Sequence, residues 1–430
     1  MAADVMPVQK PLKTMKAGTL LISLLVVASS LFAQKDCSSY VYAQERMRAV
    51  PGLATVQGRL EEFIGVQSGP DPSARLTGSV IRIPVVVHIL YNSPAENISD
   101  AQVSAQIAVL NDCFRKTNAD TSKIPAWFRP LAADCGIEFV LATADPRKRA
   151  TSGIVRKYTP VKFWQPNDKM KFSAELGDDA WDARQYLNIW VCNVERVAGY
   201  ASVPGDDPLR DGLVIRTSVF GKNTGVAGYD MGKTAVHEAG HWLGLKHIWG
   251  DTYCGDDGVA DTPKQAGFNV NCPSASRVTC GNGPYGDMFM NYMDLTSDAC
   301  MSLFTNGQRD RMLALFRSGG PRNSLLGSSG LNPPLVQEVA LPPLPDPIKP
   351  QSARLFPNPA SDLLQLDLSY DASWAGQTLR VVDLQGQVSQ TVVIRDRIQR
   401  IDISRLRAGV YVLIAMKSGG ETIQFRFVKF

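Results

Sequence analysis

Residues 237–247 read HEAGHWLGLKH, and this short stretch restricts the fold of the 430-residue chain more tightly than any other. On a helix His237 and His241, four apart, project from one face, where their imidazole nitrogens can share one ion. Glu238, next to the first of them, can reach a water in an open coordination position. Gly244 stands where the helix has to end, because glycine accepts the left-handed conformation that turns the chain sharply. His247 then returns as a third ligand. With only four histidines in the chain, the chance of this pattern is roughly one in a million. A structural zinc site is closed by four protein ligands, usually thiolates, whereas three neutral ligands leave zinc its full charge and an open position. The pattern therefore predicts zinc-assisted hydrolysis of a peptide bond, with Glu238 as general acid and base. The fourth histidine, His88, lies in an apolar strand without ligand spacing and reads as structural.

Composition excludes several other classes. A net charge of +4 with no run of five Lys or Arg argues against nucleic-acid binding. A hydrophobic share of 44 % and a mean hydropathy of −0.09 exclude wholesale disorder and a multi-span membrane protein. Asp outnumbers Glu by 31 to 10, which favours loops, caps and calcium sites over helix. Lys10, Lys13 and Lys16 precede an apolar run, Leu20 to Phe32, and then Ala33: a secretory signal peptide over 1–33. That run is too short to span a bilayer, so no transmembrane segment is expected once it is removed. Export places the eight cysteines in an oxidising compartment, where disulfides are expected.

Hydrophobic patterning divides the remainder. Polar residues 34–79 lie between the signal peptide and the first core strand and read as a propeptide, with Ala74-Arg75 as a maturation site. Strands are expected at 81–90, 136–142, 187–191 and 213–219. One helix is expected from Asp100, as N-cap, and another over 232–243, followed by about seventy irregular residues. Residues 80–320 thus predict an α+β catalytic domain, a sheet with helices packed on it. Seven prolines within 328–351 mark the core of an extended linker over 321–351. Residues 352–430 alternate polar and apolar at about ten-residue spacing, which predicts a small β-sandwich without Cys or His.

The extended motif HExxHxxGxxH, together with MNYMDL at 290–295, resembles the metzincin zinc peptidases. Met293 would be the Met-turn residue beneath the zinc. IPVVVHILY, GYASVP, DGLVI and CGDDGVADTP are similar to the pappalysin branch of that family. The resemblance implies a twisted mixed sheet with the active-site helix above a cleft and an irregular subdomain below it. It also implies disulfides fitting Cys254 with Cys280 and Cys272 with Cys300, although four cysteines allow three pairings. Calcium is implied at Asp256, Asp257, Asp261 and Thr262, against the simpler reading of a solvated turn. The branch favours Arg just after the cleaved bond, for which Asp294 and Asp298 are candidate pocket residues or, equally, loop caps. Propeptide latency in metzincins makes Cys37 and Asp36 candidates for capping the zinc. If Cys37 leaves, at least one of Cys113, Cys135 and Cys192 is left unpaired or pairs between molecules. One departure is Leu295, where the family usually carries a Tyr that stabilises the oxyanion. It is the sole support for a competing reading, a surface adhesin with a decayed peptidase domain. LFPNPASD at 355–362, DISRLRAGVYVLI and Lys429-Phe430 resemble the sorting domain of type IX secretion. That implies passage through the type IX machinery to the exterior or the cell surface.

Overall fold

Strand β1 (Ile81–Tyr91) is apolar almost throughout because it lies at the centre of a sheet covered on both faces. The structure, a computed structural model, describes residues 37–67, 80–335, 353–417 and 419–430. The signal peptide, Asp36, the Ala74-Arg75 bond and residues 336–352 lie outside the described residues. The chain forms two compact units, 1–336 and 337–430.

In the first unit, β1 is followed by α1 (Asp100–Phe114), β2 (Ile137–Leu141), β3 (Ile154–Tyr158), β4 (Leu187–Cys192), β5 (Gly199–Ala201) and β6 (Leu213–Arg216). The sheet order is β2-β1-β4-β6-β5, with β3 also paired to β1. All pairings are parallel except β5 with β6. Alternate residues of β1 serve opposite faces: Ile83, Val85, Val87 and Ile89 pack under α1, whereas Leu90 joins Trp190, Tyr200 and Val214 on the other side. α1 begins at the predicted residue, but Ser99 rather than Asp100 caps it, accepting from the Gln102 N–H. β3 and β5 escaped the pattern because they are short and only one is fully buried.

Helix α2 (Lys233–Trp242) packs against β5 and β6. After it, residues 243–305 hold one 3-10 turn at Asp298–Cys300 and no longer regular element. The disulfides Cys254–Cys280 and Cys272–Cys300 tie this region together, while Cys37, Cys113, Cys135 and Cys192 are free. α3 (Asn306–Ala314) closes it, with Thr305 and Gln308 forming a reciprocal cap.

One expectation needs correction. Residues 321–335 do not act as linker: Arg322 pairs with Asp211 at 2.5 Å, Leu325 is buried, and the Thr143 N–H donates to the Gly330 carbonyl at 2.9 Å. The polar leader carries two helices the sequence pattern did not show, Ser39–Ala49 and Leu53–Gln67, here called the leader helices, packed within the first unit against β5 and α3. They contribute few buried residues, and a weak apolar stripe is why pattern alone did not reveal them.

In the second unit, β7 (Arg354–Phe356), β8 (Leu363–Asp367) and β11 (Ile398–Asp402) form a three-stranded sheet. β9 (Thr378–Asp383), β10 (Val388–Val393), β12 (Gly409–Met416) and β13 (Thr422–Lys429) form a four-stranded one. Leu364 and Leu366 from the first sheet meet Leu379, Val381 and Leu413 from the second in one buried core. This is the expected sandwich. Among the described residues no helix is long and apolar enough to cross a membrane.

Candidate metal centre

The centre is assembled from helix, turn and leader. α2 carries His237, Glu238 and His241 on one face, all three at least partly buried. Gly244 takes φ +82°, and the chain doubles back so that His247 faces the same point. His241 Nε2 lies 3.1 Å from His237 Nε2 and 3.2 Å from His247 Nε2. Met293 packs against α2 at Gly240, where an added Cβ would stand 2.5 Å from its sulfur, so glycine lets the two approach this closely.

The opposite ring nitrogens explain why a cation fits. His237 Nδ1 faces the Tyr292 carbonyl at 2.7 Å, and His241 Nδ1 faces the Leu245 carbonyl at 2.9 Å. Carbonyls only accept, so both Nδ1 atoms carry protons and both Nε2 atoms present lone pairs. His247 Nδ1 meets the Asp251 carboxylate at 2.5 Å, and its ring stacks on Trp249 with centroids 4.2 Å apart. Lone pairs converging at this spacing repel unless a cation sits between them. Zinc, which binds imidazole at about 2.0–2.1 Å in tetrahedral geometry, suits them.

The leader supplies a fourth group. Cys37 Sγ lies 3.5 Å from His241 Nε2 and 3.7 Å from Glu238 Oε2, and its donor atom and those of the three histidines all lie within 4.8 Å of one another. Burial, reinforced by the Glu238 charge, pushes the thiol well above its ordinary range, so only an adjacent cation makes a thiolate here. The Ser39 hydroxyl donates to Glu238 Oε2 at 2.7 Å and accepts from the Ala201 N–H at 2.9 Å. Further out, Tyr42 donates to Asp168 at 2.7 Å, Arg46 pairs with Asp206, and Glu61 pairs with Arg311 and Lys246. Sequence reasoning found Cys37 but missed Ser39, Asp251 and Asp206. Their only sequence signals are nearness to a site residue, for the first two, and an Asp doublet after a glycine, for the last.

The other predicted residues separate. Asp294 is fully buried and accepts from the N–H groups of Asn269 and Leu295 and from both side-chain amides, Gln265 and Asn269, so all four of these donors hold its loop together. Burial outweighs those donors and lifts its carboxyl to about 6. Asp298 is also buried; its Oδ2 accepts from the Met231 and Lys233 N–H groups at the head of α2. Asp257 accepts from Thr262 Oγ1 at 2.8 Å and the Val259 N–H at 3.1 Å, and burial lifts it to about 6. Asp256 lies in the same loop, exposed beside Lys264. Asp261 turns the other way, accepting from Thr305 Oγ1 and the Gly307 N–H. Leu295 packs with Ile248, Trp249 and Phe128. Tyr292 is directed to Cys113 and does not take its place. His88 is structural: buried, it bridges Asp178 and Asn188 and stacks on Trp190.

A family profile described as Pregnancy-associated plasma protein-A matches residues 171–317. An extracellular metalloprotease of Arthroderma otae is 30 % identical over 294 residues, covering 65 % of this chain and 94 % of its own. The chain belongs to the pappalysin family. It is a secreted zinc metalloprotease with the metzincin fold. An extracellular metalloprotease of Coccidioides posadasii is 43 % identical over 249 residues, 55 % of this chain and 77 % of its own. Among solved structures, a promirolysin mutant of Tannerella forsythia is 44 % identical over 68 % of this chain and 97 % of its own, with a TM-score of 0.63. Mature mirolysin of the same organism, in complex with a cleaved peptide, is 48 % identical over 58 % and 96 %, at 0.57. Residues 354–429 match a secretion-system C-terminal sorting domain.

Proposed function

We propose that this pappalysin is made as a latent endopeptidase in which Glu238 moves the proton and Cys37 withholds the metal. Bound to His237, His241 and His247, zinc would supply the Lewis acidity that brings a water's pKa down toward about 7 and polarises a carbonyl. Glu238 takes the proton of the attacking water and returns it to the leaving amine. The observation that carries this reading is the convergence of three Nε2 lone pairs beside one carboxylate. Glu238→Ala should abolish chelator-sensitive cleavage of casein while zinc content stays at that of the wild type. An active, zinc-loaded variant would remove Glu238 from the mechanism. The same ligand set argues against a decayed adhesin.

In the latent form Cys37 fills the open position, and the segment from 34 to about 75 is then cut away. Removing the thiol by Cys37→Ala should let the secreted zymogen mature and cleave earlier than the wild type. Asp298, buried at the head of α2, is the carboxylate proposed to favour Arg after the cleaved bond; Asp294 has no part in it. Calcium is proposed at Asp256, Asp257 and Thr262, without Asp261. The sandwich directs the chain through the type IX machinery. With Leu295 supplying no hydroxyl, turnover should be slow, since one lost oxyanion donor costs about 10² to 10³ in rate at comparable sites.

A further inference from the structure

The first leader helix leaves the metal centre along the free edge of β5. Its first residues pair with that edge: the Ser38 N–H donates to the Gly199 carbonyl, and Ser39 Oγ accepts from the Ala201 N–H. Beyond β5 the chain turns through Val203–Asp206, where Gly205 has φ +84° and the Asp206 N–H donates to the Val203 carbonyl at 3.1 Å. Asp206 Oδ1 also accepts from the Asp207 N–H at 2.7 Å, so the carboxylate is held in place by its own loop. Onto it the leader lays Arg46: Nε to Oδ2 at 2.7 Å and Nη2 to Oδ1 at 2.8 Å, the two-pronged pairing in which guanidinium matches carboxylate best.

A second leader contact behaves differently. Tyr42 reaches Asp168, but Asp168 keeps Lys171 at 2.8 Å and Arg210 at 3.2 Å as partners of its own. Among the described residues, Arg46 is the one cation paired with Asp206. Departure of the leader therefore uncovers one preset carboxylate without a balancing cation, at the end of the cleft edge.

We infer that Asp206 is a second specificity site of the mature enzyme, binding a basic substrate side chain, Arg above Lys, before the scissile bond. The inference rests on the peptidase reading and on the release of the leader. The side of the bond follows from α2. Asp298, proposed to take the residue after the bond, lies at the N-terminal head of that helix. The leader helix runs toward its other end, where Ser39, Ala43 and Met47 line a cavity with His241, Gly244 and Lys246. Arg46 lies nine positions after Cys37. At about 1.5 Å per helical residue against about 3.3 Å per extended one, that reach corresponds to about four residues of substrate.

The test compares full-length zymogens matured by the same limited proteolysis: wild type, Asp206→Asn and Asp206→Arg. Their kcat/KM is read on peptides that keep Arg after the scissile bond and place Arg, Gln or Glu in turn at each of about six positions before it. The wild type should gain about fivefold from Arg over Gln about four positions before the bond, the size expected of a partly exposed pair. Asp206→Asn should erase that gain and Asp206→Arg should transfer it to Glu, both still cutting before the same Arg. A second measurement needs no variant of the enzyme. A synthetic Cys37–Ala49 peptide should inhibit the matured wild type about fivefold more tightly than its Arg46→Gln form. A wild type indifferent to Arg before the bond, or an Arg gain that survives in Asp206→Asn, overturns the inference. Cleavage of no peptide at all rejects the peptidase reading, and this inference with it.

Discussion

The candidate metal centre draws its histidines from two regions built on different principles. His237 and His241 stand on α2, where backbone hydrogen bonds and a four-residue spacing fix both side chains at once. His247 stands in the irregular region that follows, where nothing periodic holds it. There the work falls to side chains: Asp251 on Nδ1, Trp249 against the ring, the buried Asp294 gathering its loop, and the two disulfides. One region is rigid because its backbone is regular, the other because individual groups clamp it. The second kind of rigidity should fail piece by piece.

The largest expected effect comes from those disulfides. Cys272–Cys300 closes a loop of 28 residues, and by the chain-entropy relation such a link is worth about 3.6 kcal/mol. The paired substitution Cys272→Ala/Cys300→Ala should lower the unfolding midpoint of the first unit by several degrees and raise proteolytic nicking within 250–300. It should leave amide-exchange protection of β1 and β4 in place. Equal loss of protection in the sheet would show that the two regions unfold as one.

The regular region could be read in advance; of the clamped region, His247 and, through the resemblance, the two disulfides could, but the side chains that hold it could not. Continuous apolar runs placed β1 and β4, alternation placed the strands of the sandwich, and HExxHxxGxxH placed three converging histidines, because each pattern follows the geometry of the backbone. Asp251 carries no such signature: an aspartate four residues after a ligand is ordinary until its distance to Nδ1 is known. The choice between Asp294 and Asp298 was equally hidden, since both follow the Met-turn and only burial with four donors sets Asp294 apart. The leader helices were invisible because they are held by scattered pairs such as Glu61–Arg311, contacts made with another part of the chain.

Asp251 offers the next test. A carboxylate on the far nitrogen of a ligating imidazole typically accounts for about 10- to 100-fold in metal affinity. Asp251→Asn should weaken zinc binding by that factor in competition with a chromogenic chelator, with far-ultraviolet circular dichroism unchanged. His237 and His241 lean on backbone carbonyls and have no equivalent side chain to remove. Unchanged affinity would mean that Trp249 alone positions His247. At the junction, Gly244→Ala forces a side chain into the left-handed region at about 1–2 kcal/mol, with Leu315 at 3.3 Å from the new Cβ. Thermal stability should fall by a few degrees and zinc occupancy with it, while Gly267→Ala, in open space, should change neither.

The smallest effect is one of pH, and it separates the clamped region from the rest. Asp257 and Asp294 each have a carboxyl lifted to about 6 by burial, against about 3.9 in the unfolded chain. Between those values the folded protein holds more protons than the unfolded one, so their contribution to stability is complete below about pH 4 and is lost as pH rises through 6. Metal-free protein freed of calcium should therefore gain a few degrees in melting temperature from these two groups between pH 7 and pH 5. Calcium bound at Asp257 compensates its charge, so millimolar calcium at pH 7 should recover the share of that gain due to Asp257 and leave the share due to Asp294. Asp257→Asn should raise the calcium-free melting temperature at pH 7 and make it insensitive to calcium. A variant that still responds to calcium would place the ion elsewhere and leave Asp257 as a buried carboxyl that only strains the loop in which it sits.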